Sequence, residues 1–232
     1  MDRRRFVGSS LAASVALFGC GPGRTDEPVR AGQDAALAPL PRRDRVRVAF
    51  MIGEHANVID TAGPWEVFQD VVSDEFGCEL YTVAPTADLL QMTGGLLVKP
   101  NYSINDAPQP HVIVVPGHKS TPRSREWLAS ASAGTDVTMS VCTGAFQLAR
   151  AGLLKGVPAT THHEFFDSFA KEFPDVELRR GLRFVDSGHI ATAGGLTSGI
   201  DLALHIVSRY FGADVALATA RYMEYSSEAW RA

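Results

Sequence analysis

Residues 137–148 read VTMSVCTGAFQL. An apolar run of β-type residues stops at Cys142, and a glycine-containing helical run starts at once. Val137 and Val141 suit a buried strand, Gly144 permits a close turn, and Ala145, Phe146, Leu148 and Ala149 continue as a helix. Strand, reactive side chain, tight turn and helix in immediate succession form a nucleophile elbow. The placement carries an electrostatic expectation as well. A thiol at a helix N-terminus lies beside free backbone N–H groups and the positive end of the dipole, which lowers its pKa toward thiolate. The rival reading is a buried structural cysteine that packs as a small hydrophobe.

Outward from the elbow, strands and helices alternate. VRVAFMI (46–52), CELYTVA (78–84) and HVIVVPG (111–117) read as core strands that precede the elbow strand. PWEVFQDVVSDEF (64–76) reads as an amphipathic helix, and residues 123–133 as a short one. Thr93-Gly94-Gly95 lies between two extended runs, a hairpin-like signal. After the elbow, 162–173 is helical in pattern and stops at Pro174, and 182–194 reads as two strands joined at Asp186-Ser187-Gly188. In 197–212, Ile200, Leu204, Val207 and Phe211 share a helical face that Gly212 ends, and 214–230 reads as a final helix. Short apolar strands alternating with helices predict an α/β sandwich with a mostly parallel sheet. Ligands in such sheets sit beyond the carboxyl ends of the strands, so the loops after 46–52 and 111–117 converge on the elbow.

The composition of the 232 residues, 45% hydrophobic and 21% charged, is that of one sizeable globular domain. A net charge of −4, with no basic block outside the N-terminus, argues against a nucleic-acid partner. No apolar run is long enough to span a bilayer. Residues 1–20 read as a targeting segment: Arg3-Arg4-Arg5-Phe6-Val7 fits a twin-arginine signal, and Leu17-Phe18-Gly19-Cys20 resembles a lipobox. Phe18 is bulky for that position. Export to the periplasm, with a lipid anchor on Cys20, is the expectation. Residues 21–44, rich in Gly, Pro and Ala, read as a flexible linker, and 45–232 as the domain. Cys78 and Cys142 remain in the mature domain, too few for a disulfide scaffold, and Cys78 sits in a core strand.

Asp60 precedes Gly63-Pro64, which reads as a helix start, so its carboxyl either caps that helix or faces the thiol with a pKa raised by burial. Glu66 is the second acidic candidate. Gly117 lets backbone N–H groups approach a developing anion, as an oxyanion hole requires, and His118 follows it as a base or a surface residue. Thr143 adjoins the nucleophile and offers a hydroxyl and a helix-start N–H. His162 and His163 point to different faces, so at most one reaches the site; the pair is not chelating geometry, and no metal site is expected. His205 reads as a core residue, and His55 lies in the first loop.

VIDTAGPWEVF (58–68), VVPG (114–117), SVCTGAFQLARAGLLKGVPATTHH (140–163) and TAGGLTSGIDLALHIVSRYFG (192–212) resemble the ThiJ/PfpI superfamily. They are most similar to the branch containing isonitrile hydratases and the amidase-like domains of certain transcriptional regulators. The resemblance runs from about Val46 to Gly212 and implies a flavodoxin-like three-layer sandwich, commonly dimeric. It carries the catalytic roles of the isonitrile hydratases onto Asp60, Cys142 and Thr143. Hydrolytic members carry His after the cysteine, where this chain has Thr143. Glyoxalase-like members place a glutamate in the first loop, where this chain has Asp60. The family often reads Pro-Gly-Gly after the third core strand, and here the second glycine is His118.

The expectation is therefore a cofactor-independent, cysteine-dependent hydratase that converts an isonitrile to an N-substituted formamide. Gly63, Gly117, His118 and His162 are the expected contacts to a small-molecule substrate, and a homodimer the expected assembly. The alternatives are an electrophile- or oxidant-sensing or ligand-binding domain, and a glyoxalase-like enzyme acting on aldehydes.

Overall fold

The computed structural model describes residues 37–73 and 75–231. The chain runs β1 (Arg45–Met51), α1 (Val58–Gln69), β2 (Gly77–Ala84), β3 (Leu90–Gln91), β4 (Leu97–Val98), β5 (Tyr102–Ser103) and β6 (Val112–Val115). It continues through α2 (Pro122–Ser132), β7 (Val137–Val141), α3 (Gly144–Arg150), β8 (Pro158–Ala159), α4 (Phe166–Glu172) and β9 (Glu177–Leu178). The last elements are β10 (Phe184–Asp186), β11 (Ile190–Ala193), α5 (Ser198–Phe211) and α6 (Ala213–Tyr222).

Seven strands form the main sheet in the order β10-β11-β7-β6-β1-β2-β5. Neighbours are parallel except β10 and β11, the pair joined at Asp186–Gly188. A parallel sheet is covered on both faces, so its central strands are mostly apolar and buried, β6 (VIVV) throughout. Along β1, Val46, Val48 and Phe50 pack with Phe68 of α1, Leu202 of α5 and Ala220 of α6. Met51 faces the other way, toward Leu128 of α2, Leu148 of α3 and Phe169 of α4. Period-2 alternation thus sends one strand into two cores, and the result is the expected flavodoxin-like sandwich. The predicted hairpin is also present: β3 and β4 pair antiparallel across Thr93–Gly95.

Three local expectations are corrected. The first helix begins at Val58 instead of Pro64, because the Asn57 side chain caps it by accepting from Ile59 N at 3.2 Å. Asp60 therefore sits in its first turn, not in a loop, and Pro64 lies inside the helix. The helix ends at Gln69, well before residue 76. The stretch 162–173 is split: one 3-10 turn over His163–Phe165 precedes α4. The last helix ends at Tyr222, and Trp230 beyond it is buried in the core.

Residues 1–36, with the twin-arginine pattern and Cys20, lie outside the described residues. The stretch 37–44, read as the end of a linker, is fastened to the domain. Leu40 is buried and donates its N–H to Arg209 O at 3.0 Å. Arg43 forms a two-pronged pair with Asp136, its Nε and Nη2 at 2.7 and 2.8 Å from the two carboxylate oxygens. One apolar side chain and one forked cation are enough to order a segment that composition alone marks as a linker.

Candidate active site

Cys142 follows β7 directly and adopts a left-handed conformation, φ 58°. Such a backbone is unfavourable for a residue with a Cβ, by about 1–2 kcal/mol, so its surroundings must impose it. Its N–H donates to Gly194 O at 2.6 Å and Ala193 O at 3.2 Å, and its carbonyl accepts from Thr161 Oγ1 at 2.9 Å. The next turn is set by contact with β6: a Cβ on Gly144 would lie 2.0 Å from Val115 O. The elbow read from the sequence is therefore present, and glycine is required at its first helical position.

Asp60 is fully buried. Its Oδ2 accepts from Gly117 N–H at 3.1 Å, and no hydrogen bond to Oδ1 is made among the described residues. Burial raises the carboxyl to about 6, opposed by the Gly117 N–H and by a hydrogen bond with the Cys142 thiol. The thiol is pushed up to about 11, first by burial and then by the Asp60 charge. The backbone and hydroxyl of Thr143 pull it the other way and do not prevail. The expectation of a thiolate is thus corrected: the helix start acts as anticipated, but desolvation and a neighbouring carboxylate outweigh it. At rest the site holds a protonated sulfur beside a carboxylate that can take its proton.

Gly117 lies against Asp60 and Thr143. A Cβ there would fall 2.5 Å from Thr143 Oγ1 and 3.3 Å from Asp60 Oδ2. Its N–H is engaged by Asp60, so the expected oxyanion donor is instead a support for the carboxyl. Gly117→Ala is expected to lower kcat/KM of the site's reaction by about 10²-fold through displacement of Thr143 and Asp60, with little change in Tm. Steady-state kinetics beside a thermal melt check this.

The remaining candidates fall into two groups. His162 stands on the wall of a cavity next to the elbow. Gly63 faces α5, where a Cβ would meet Ile200 Cγ1 at 2.9 Å, so it serves helix packing. His118 is buried; its Nδ1 donates to Pro116 O at 2.8 Å and its ring packs on Gly53, while burial lowers its pKa and keeps it neutral. Gln147 Nε2 donates to the His118 carbonyl at 2.8 Å. Glu66, His55 and His163 are exposed. His205 joins Asp186 and the Trp230 carbonyl. Cys78 is free, in the opening residues of β2, at the opposite end of the sheet from Cys142. Thr161, which fixes the elbow carbonyl, went unread in the sequence; the only signal was its place beside His162.

Asp60 also couples stability to pH. Its folded pKa is above the unfolded value of about 3.9, so the folded state binds its proton more tightly. That contribution is full below about pH 4 and is lost as pH rises through about 6. Asp60→Asn is therefore expected to raise stability at pH 7.5 by about 2–3 kcal/mol, seen as a higher Tm, and to leave it nearly unchanged at pH 4. Thermal melts at the two pH values test the sign.

An isonitrile hydratase of Pseudomonas putida is 28% identical over 187 residues, 78% of this chain and 79% of that protein. The HTH-type transcriptional regulator GbdR of Pseudomonas aeruginosa is also 28% identical, over 81% of this chain and 53% of the regulator, so this chain spans about half of it. A ThiJ/PfpI family protein from Pseudomonas syringae superposes with a TM-score of 0.72 at 25% identity, over 82% of this chain and 78% of that one. Residues 46–209 match the DJ-1/PfpI family, a stretch that holds Asp60, Gly117, Cys142, Thr143 and His162. The protein belongs to the DJ-1/PfpI family.

Proposed function

We propose that this protein hydrates isonitriles to N-substituted formamides. The observation that carries the reading is a buried Asp60 carboxyl near enough to the Cys142 thiol for each to shift the other's pKa, with Thr143 beside the sulfur and against Gly117. The likeness to an isonitrile hydratase is consistent with it.

The chemistry follows from the two pKa directions. As sulfur attacks the terminal carbon of R–N≡C, Asp60 takes the thiol proton, so no free thiolate is required beforehand. The protonated carboxyl then delivers that proton to the same carbon, leaving the thioimidate R–N=CH–S–Cys142 and a carboxylate. Asp60 next removes a proton from water as its oxygen adds to the carbon and passes that proton to the imine nitrogen. Collapse of this adduct expels the Cys142 sulfur, which regains its proton, and releases R–NH–CHO. The balance is isonitrile plus water to formamide. Thr143 offers its hydroxyl to orient substrate or water. Activity should fall below about pH 6 as Asp60 becomes protonated.

The test is purified protein with several alkyl isonitriles, with formamide followed by chromatography. Absence of turnover above a Cys142→Ala control across the series would remove the reading. The sensing alternative is disfavoured: a buried cysteine, 7% exposed, with its pKa pushed up to about 11 reacts slowly with oxidants. Export through the N-terminal segment, a lipid on Cys20 and a homodimer belong to the same proposal, and rest on the sequence pattern and on the family.

A further inference from the structure

Beside the elbow lies a cavity of about 370 Å³, within the range of small-ligand sites. Two of its wall residues are bonded to the nucleophile's backbone: Thr161 through the Cys142 carbonyl, and Gly194 through the Cys142 N–H. The cavity therefore abuts the backbone of the elbow, although Cys142 does not itself line it. His162 forms part of the wall. Its Nδ1 accepts from Glu164 N–H at 3.3 Å, and a ring nitrogen that accepts carries no proton, so the proton is on Nε2. The ring packs closely against Gly195, where a Cβ would come 2.2 Å from Cδ2 and 2.8 Å from Nε2. His163, with its ring centroid 4.5 Å away, and Phe165, at 5.9 Å, flank it. The donor is oriented, and no protein acceptor for it is found among the described residues. Arg183, also on the wall, is neutralised by its ion pair with buried Asp201. The cavity thus offers a fixed donor without a free charge.

Resting on the hydratase reading, we propose that this cavity receives the N-substituent of the isonitrile and that His162 Nε2–H selects substituents bearing an uncharged oxygen acceptor, such as an ester carbonyl. One neutral hydrogen bond is worth about three- to tenfold in kcat/KM.

The probes are ethyl isocyanoacetate and n-hexyl isonitrile, which have equal numbers of heavy atoms. Their intrinsic reactivities differ, so the readout is the change in the ester-to-alkyl kcat/KM ratio between proteins. His162→Phe keeps a flat ring against Gly195 and removes the donor; it is expected to lower the ratio three- to tenfold. His162→Gln returns an amide donor and is expected to restore part of it. Gly195→Ala, which displaces the ring, should act in the same direction as His162→Phe, so the test survives misfolding of either variant. A ratio unchanged in His162→Phe and Gly195→Ala overturns the assignment. If neither isonitrile is turned over above Cys142→Ala, it is the hydratase reading that fails. The cavity is then judged by calorimetric binding of the formamide N-formylglycine ethyl ester: at least threefold weaker binding to His162→Phe supports the His162 contact, and equal binding overturns it.

Discussion

Cys142→Ala is expected to reduce isonitrile turnover by at least about 10³-fold, because no step of the reaction survives without the sulfur. Stability should respond far less. Alanine keeps the Cβ and the left-handed backbone, so the strain at φ 58° is unchanged and only the packing of one buried sulfur is lost. A loss of about 1 kcal/mol corresponds to about 2–4 °C in Tm for a domain of this size. Formamide production and a thermal melt on one preparation separate the two effects. Activity above about a hundredth of wild type would mean that the nucleophile lies elsewhere.

The largest expected effect on stability comes from a substitution that helix propensity would favour. Gly144 opens α3, and alanine is better than glycine in a helix by about 1 kcal/mol. Here the added methyl would lie 2.0 Å from the Val115 carbonyl, and 2.9 Å from that residue's carbonyl carbon. A backbone oxygen in a central parallel strand has nowhere to move, so either α3 leaves the sheet or β6 shifts. Gly144→Ala is expected to destabilise by about 4 kcal/mol or more, lowering Tm by about 8–16 °C. A melt within two degrees of wild type would contradict the close approach of α3 to β6.

Much of this molecule was legible in its sequence, for a definite reason. Where a strand is buried on both faces or a helix on one, burial writes itself into the residue pattern, and β1, β6, β7 and α5 were read that way. The elbow was legible because a strand running straight into a helix leaves little choice about where Cys142 stands. What escaped depended on pairings across the chain. The start of α1 turned on whether Asn57 would cap it, and Pro64 pointed to a later start. The protonation of the thiol turned on how deeply Asp60 and Cys142 would be buried together, which neither segment reveals alone. The Gly117 N–H looked available because the carboxylate that engages it is 57 positions away. Nothing in the sequence around the double glycine 194–195 marks the His162 ring as what packs there; only the fold shows it.

The fastening of Leu40 and Arg43 has a directional consequence. Asp136, which holds Arg43, immediately precedes β7, whereas Cys142 immediately follows it. Five residues of strand separate the two ends, about 17 Å at 3.3 Å per residue. The stretch ahead of β1 is thus secured at the floor of the sheet, and the nucleophile opens at its ceiling. The chain ahead of Leu37 therefore joins the domain at the end of the sheet remote from the thiol.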